Sequence, residues 1–169
     1  MPTLIGTNLT AVSFATATST LPVRGGGKGF SVGTRHEDYN GKEYIFVQAN
    51  SAIAAYDVVT IPSDTFVAAE FSTTVANASE ILGVPSYALA SGDYGWVQIY
   101  GATKVKVLGL AAKTSLLYST TTGGSLDDAT ASNYQVTGIQ ILSTNPSSTA
   151  TAMSAFISWP SVLKRAGTA

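Results

Sequence analysis

The sequence predicts an all-β fold: a compact β-barrel or β-sandwich of about nine short strands, preceded by an extended N-terminal arm. From Tyr44 onward, short runs rich in β-branched and aromatic residues recur at a spacing of roughly ten residues, with Pro, Gly, Ser and Asp between them. No heptad repeat occurs, so a coiled-coil stalk is not expected. The chain therefore divides into an arm, residues 1–42, and a β-body, residues 43–169.

The first half of the body has clear strand boundaries. The run at residues 44–49 is almost entirely apolar, Pro62 ends the run at 58–61, and Pro85 ends the run at 80–84. The complete set of predicted strands is 44–49, 58–61, 65–69, 80–84, 96–100, 104–108, 116–120, 136–142 and 155–159.

The second half begins after a turn signal at residues 91–95, Ser-Gly-Asp-Tyr-Gly. Residues 101–103, Gly-Ala-Thr, divide the next two runs. In the second of these, at 104–108, lysines alternate with valines, as in a strand with one solvated face. A polar loop is expected at 121–132, and Pro160 is expected to end the last strand.

The segment at residues 68–81 permits two interpretations. Its Ala and Glu content would suit a short helix, whereas the β-branched residues at 73–75 and the interruption at Asn77 favour a strand followed by a loop. We expect a strand and a loop, with one short helix left open.

Composition excludes several classes of protein. The chain has 169 residues, consistent with one domain, and only 11% of them are charged. Nine Lys and Arg nearly balance ten Asp and Glu, giving a net charge of −1. This balance argues against a globally basic nucleic-acid binder and against an acidic disordered protein. The sequence contains no run of 18 apolar residues, so a transmembrane helix is not expected. The first residues do not resemble a secretory signal.

Few residues suit catalysis or metal binding. Cysteine is absent and His36 is the single histidine, which rules out a thiol nucleophile and a multi-histidine zinc site. The glycine-rich stretch at 25–29 contains Lys28, but no Ser or Thr follows that lysine as a phosphate-binding loop requires. Asp127 and Asp128 lack the regular ligand spacing of a calcium loop. The sequence therefore predicts no enzyme activity, no cofactor, no metal and no small-molecule substrate.

The arm differs in texture from the body. It contains many small residues and only scattered apolar ones, so it has little surface with which to form a core of its own. A flexible tail and an extended arm that orders against a partner both fit this composition. Leu9, Phe14 and Phe30 favour the arm, since a purely solvating tail does not need them.

Aromatic residues are frequent in and beside the predicted strands. They could line a carbohydrate or nucleic-acid surface, but in strands they more often fill a core or a subunit interface. The residues in question are Tyr87, Tyr94, Trp96, Tyr100, Tyr118 and Trp159.

Residues 81–101 resemble a pattern found in tailed-bacteriophage head proteins. In that pattern a Leu-Gly-Val strand precedes a Gly-Asp turn, and Gly-Trp-Val-Gln then begins a strand that ends in Gly. Here these elements are Leu82-Gly83-Val84, Gly92-Asp93 and Gly95-Trp96-Val97-Gln98. Residues 54–59 are similar to a further segment of the group, and the whole resemblance spans roughly residues 44–160.

The resemblance is to capsid decoration proteins, also called cement or head-stabilisation proteins. It implies a homotrimeric virion protein on the outer capsid surface, assembled in the host cytoplasm, with the major capsid protein as its partner. It implies no catalytic residues, no nucleic acid and no membrane. A head-fibre or tail-associated domain and a carbohydrate-binding β-sandwich are the alternatives. Composition alone suggests the capsid-contact candidates in the arm: Leu9, Phe14, Arg24, Lys28 and Phe30.

Overall fold

The computed structural model describes residues 30–75, 80–129 and 134–164, and strands are the regular elements found there. The predicted all-β fold is confirmed, with ten strands in one sheet. The strands are β1 (Arg35–Glu37), β2 (Glu43–Ala49), β3 (Val59–Ile61), β4 (Val67–Glu70), β5 (Ile81–Gly83), β6 (Tyr94–Val107), β7 (Leu117–Ser119), β8 (Leu126–Asp127), β9 (Tyr134–Ile141) and β10 (Thr151–Lys164).

The strand pairings close two rings. One ring runs through β2, β4, β3, β5, β10 and β6, and returns to β2. The other runs through β10, β6, β8, β7 and β9, and returns to β10. The two rings share the antiparallel β6–β10 pair, so those two long strands hold the fold together.

Strand β6 is continuous where the sequence predicts two strands. Gly101 has a φ of +102°, a backbone region in which glycine has no steric penalty. It nevertheless keeps its place opposite Ile157 of β10. The glycine therefore bends the strand without interrupting the ladder, which the local sequence does not reveal.

Strand β10 continues past Pro160, where the sequence predicts its end. Its pairing with β9 shifts register between Ile157 and Ser161, so the proline lies in a bulge where no ladder hydrogen bond is required of it. Beyond the bulge, Ser161 pairs with Ile81 of β5 instead of continuing along β6. The bulge is thus the point at which β10 passes from β6 to β5.

Two short strands, β1 and β8, are absent from the sequence prediction. Strand β8 lies inside the expected polar loop, and β1 lies inside the expected arm. Strand β1 is polar and charged, and β8 has only two residues, of which Leu126 is buried, so neither contains an alternating apolar run that patterning could detect. Within the described residues, the segment at 68–81 contains no helix: β4 ends at Glu70, and a loop follows to residue 75.

The end of the arm is part of the sheet. Strand β1 pairs along its length with β2, and just before it the Gly33 amide donates a hydrogen bond to the Phe46 carbonyl. The Phe46 amide in turn donates to the Thr34 carbonyl. Residues 30–42 therefore pack on the body, while residues 1–29 lie outside the described residues.

The apolar interior forms two main clusters. The first cluster is formed mainly by side chains of β2, β3, β4 and the first half of β6. The second is formed mainly by side chains of the second half of β6 and of β7, β9 and β10. Strand β6 supplies Val97 and Ile99 to the first cluster and Val105 and Val107 to the second. The inward-facing side chains of its first half therefore pack in one core, and those of its second half pack in the other.

We predict that Gly138→Ala destabilises the protein more than Gly41→Ala does. Gly138 has a φ of +75° and Gly41 has a φ of +73°, and an alanine in this backbone region lowers the free energy of unfolding by about 1–2 kcal/mol. At Gly41 a Cβ would meet nothing within 4 Å, whereas at Gly138 it would lie 2.5 Å from the Ser158 carbonyl oxygen. Overpacking of this kind adds about 1–3 kcal/mol.

Urea unfolding of the two variants beside the wild type measures this difference. Equal destabilisation of the two variants would mean that the backbone of β10 yields at the bulge. The close packing of β9 against β10 would then not be a fixed feature of the fold.

Candidate functional site

Three aromatic side chains form an exposed cluster where β6 meets β10. We call Tyr100, Phe156 and Trp159 the aromatic patch. The Tyr100 and Trp159 rings stack with their centroids 4.5 Å apart, and Phe156 meets Tyr100 edge-on at 5.5 Å. Trp159 is 53% exposed and Phe156 is 39% exposed, unusually open positions for such large apolar side chains.

The β10 bulge places Trp159 in the patch. Ser158 lies opposite Tyr100 on β6, and the next residue, Trp159, has a φ of +41°. A bulky residue rarely adopts this conformation, and it persists only where the surrounding structure enforces it. Gly138 makes this conformation of Trp159 possible, because its missing side chain leaves room for the β10 backbone at Ser158 and Pro160.

A hydrogen bond fixes the Trp159 side chain. The indole Nε1–H donates to Glu43 Oε2 at 3.0 Å, and Glu43 lies opposite Tyr100 in the β2–β6 pairing. The indole is therefore held by stacking on one ring and by a charge-assisted hydrogen bond. A side chain restrained in this way loses little rotamer freedom when a ligand binds.

The residues around the patch are mainly small or uncharged. Ala102 and Gln140 lie on either side of Phe156 on the neighbouring strands. Lys42 runs alongside Gly101, close enough that a Cβ added to this glycine would lie 3.0 Å from the lysine Cγ. The Glu43 carboxylate therefore lies at the edge of the aromatic surface, and the aliphatic stem of Lys42 lies beside Gly101.

A second group of polar residues lies beneath the loop at 120–125. Asp57 is 1% exposed and forms an ion pair with Lys106, whose Nζ lies 2.9 Å from Asp57 Oδ1. The other carboxylate oxygen, Oδ2, accepts a hydrogen bond from the Ala54 amide. Gly124 packs directly on Asp57, so a Cβ there would lie 2.5 Å from the Asp57 Cβ. This arrangement joins β6 to two loops and is structural in character.

Glu70 completes this polar group. Partial burial raises the pKa of its carboxyl, and hydrogen bonding to Asp57 and the charge of Asp57 raise it further. Lys106 acts in the opposite direction, with a smaller effect. The raised pKa reflects the cost of a second negative charge beside the Asp57 carboxylate.

Phe30 is the one capsid-contact candidate among the described residues. Its ring packs edge-to-face against Trp96 at 5.1 Å and against Phe46 at 5.6 Å. It lies on the face of the β2–β6 pair opposite the ring interior, where Tyr44 and Tyr94 also lie. The remaining candidates, Leu9, Phe14, Arg24 and Lys28, are outside the described residues.

The sequence-predicted aromatic residues divide between core and surface. Tyr94, Trp96 and Tyr118 are buried and Tyr87 is half-buried against the core, whereas Tyr100 and Trp159 belong to the patch. Sequence reasoning missed Phe156 and Glu43. The alternation of buried Ala155 and Ile157 around Phe156 could have indicated an outward-facing ring. Nothing local indicates Glu43, because its partner is 116 residues away.

Comparison with known proteins gives no family for this chain. No family model, no curated protein and no solved structure matches it. Among the described residues, no group of three His, Asp or Glu side chains is placed to hold a metal ion. The same part of the chain contains no helix that could cross a membrane.

We predict that Glu70→Gln stabilises the protein at neutral pH and that this gain disappears in acid. The pKa of Glu70 is higher in the folded than in the unfolded chain, so its favourable contribution is present below the unfolded pKa. That contribution is lost as the pH rises through the folded pKa. Glutamine is neutral throughout and still offers Asp57 a hydrogen-bond donor.

Urea unfolding from about pH 4 to about pH 8 tests this dependence. Glu37→Gln, which removes the same charge from an exposed position on β1, is the matched control for net charge. A difference between Glu70→Gln and wild type that is the same at every pH would contradict the prediction.

Proposed function

We propose that this chain is a structural virion protein that binds the outer surface of a tailed-bacteriophage capsid and stabilises its lattice as a cement or decoration protein. The observation that carries the proposal is the resemblance of residues 81–101 to the pattern of that group. This stretch forms β5, the turn that follows and the first half of β6, one of the two strands common to both rings.

The residues of that pattern have packing roles at the centre of the fold. A Cβ at Gly83 would collide with Val97 Cγ1, and one at Gly95 would lie 2.6 Å from the Tyr87 hydroxyl. Asp93 accepts a hydrogen bond from the Ala90 amide and so closes the turn. The pattern therefore belongs to the fold and not to a set of reactive groups, as suits a protein whose function is to present a surface.

The exposed apolar side chains support a role in protein contact. Several large ones lie on the surface of the described body, and charge is sparse, so burial against a partner would be favourable with little desolvation of ions. The most exposed aliphatic ones are Leu110, Leu116, Leu142 and Leu163.

The proposed partners are the major capsid protein and two further copies of the chain, on the outer face of a particle assembled in the host cytoplasm. The protein would act by binding alone, without a catalytic group, cofactor, nucleic acid or membrane. A symmetric trimer would also multiply weak contacts with the shell into a strong attachment.

We predict that attachment depends more on apolar arm residues than on basic ones. Burying a large side chain contributes roughly 1.5–3 kcal/mol, whereas an exposed ion pair contributes about 0–1 kcal/mol. Phe14→Ala should therefore weaken binding to shells by about tenfold or more, and Arg24→Ala should weaken it less. Co-sedimentation with empty capsid shells at about 0.1 M and about 1 M salt measures both effects.

Isolated capsid subunits are the control, because a lattice-binding protein should bind shells and not free subunits. No binding to shells would overturn the proposed function. Release at high salt with a dominant Arg24→Ala defect would show that the arm is an electrostatic clamp. Attachment only at one vertex or at the tail would identify a fibre or tail component instead.

We further predict a homotrimer for the protein away from the capsid. The resemblance implies that assembly, and association would bury apolar surface that the single chain exposes. Mass measurement at micromolar concentration should give three times the chain mass. A monomer in solution, together with single copies on the particle, would contradict it.

A further inference from the structure

We infer that the aromatic patch is a binding site for a neutral saccharide. Tyr100 supports Trp159, Phe156 extends the surface, and the Glu43 carboxylate lies at its edge. The inference rests on the geometry of the patch and does not depend on capsid binding.

The first argument is the strained and restrained position of Trp159. A φ of +41°, a bulge in β10 and a tight approach of Gly138 all serve to bring this indole to the surface. Strain of this kind costs of order 1–3 kcal/mol and is concentrated at functional sites. An indole needed only for packing would lie inside, as Trp96 does at 1% exposure.

The second argument is the size of the patch. Trp159 and Phe156 together present on the order of 200 Å² of aromatic surface, given the 150–250 Å² of a whole aromatic side chain. A stable protein interface needs about 800 Å² from each partner. One or two pyranose rings match the patch, whereas a second copy of the chain would need much more surface.

The third argument is charge. Glu43 and the preceding residue, Lys42, carry opposite charges, so this edge of the patch does not strongly favour an anion or a cation. A neutral ligand with an apolar face and many hydroxyl groups is the complement of such a surface. The C–H face of a pyranose would lie on the indole. Its hydroxyls would donate to the free lone pairs of Glu43, and the exposed side chains of Ser158 and Gln140 are close by on β10 and β9.

Nuclear magnetic resonance with ¹⁵N-labelled full-length protein tests the inference. The chain has two tryptophans, so its spectrum has two indole N–H signals. The probes are neutral tetrasaccharides of β-1,4-glucose, α-1,4-glucose and β-1,4-N-acetylglucosamine, titrated separately. We expect at least one of them to shift the Trp159 indole signal with a Kd of about 1 mM or tighter. The buried Trp96 signal should stay in place.

Two variants link the binding to the patch. Trp159→Ala should weaken saccharide binding by at least about tenfold, and Glu43→Gln, which keeps an acceptor for the indole, should weaken it by a smaller factor. Leu110→Ala is the control, since Leu110 is 69% exposed but lies beyond Val107, the end of β6, ten residues along the chain from Tyr100. It should leave the affinity unchanged.

Three results would overturn the inference. One is the absence of any shift with all three probes. Another is binding that survives Trp159→Ala with the Trp96 signal still present, which would show a folded protein that binds sugar elsewhere. The third is a concentration-dependent shift of the Trp159 signal without sugar, which would make the patch a contact between copies. None of these results bears on attachment to shells, so the proposed function is judged separately.

Discussion

Strand β6 contributes buried side chains to two hydrophobic cores within one uninterrupted strand, and the other strands pair so that both cores are closed. Its first half pairs with β2 and turns Val97 and Ile99 into one core, while its second half pairs with β10 and turns Val105 and Val107 into the other. Gly101 bends the strand between the two. Because both rings use this strand, a change that dislodges it would open both cores together.

The sequence predicts much of this sheet and little of its connectivity. Period-two alternation and the positions of proline and glycine place the strands with large apolar side chains, such as β2 and β9. The same rules wrongly end β10 at Pro160 and divide β6 at Gly101, because tertiary pairing permits both residues to remain in the ladder. The aromatic patch is still harder to predict from the sequence. It brings Glu43 and Trp159 together from distant parts of the chain, and no local sequence pattern indicates that they are neighbours.

The two polar features of the body illustrate different uses of charge. Around Asp57, the buried carboxylate is met by a lysine and an amide, and burial together with the nearby Asp57 raises the pKa of Glu70. Beside the patch, Glu43 remains partly open and holds the indole from outside. The first arrangement joins loops to the sheet. The second leaves a rigid aromatic surface facing solvent, in a body with few charges to compete for it.

The shared β6–β10 pair also determines when the protein can acquire its structure. The ring that contains β2, β3, β4 and β5 is closed by β10, the last strand of the chain, beside a single bridge from Val84, just after β5, to Gln98 of β6. Its pairings join residues as distant as Ile81 and Ser161, and such closures are slow because much chain entropy is lost before any contact forms. During synthesis β5 and the second half of β6 therefore lack their β10 partner until nearly the whole chain has emerged. An incomplete chain also lacks Phe156 and Trp159, and with them the aromatic patch.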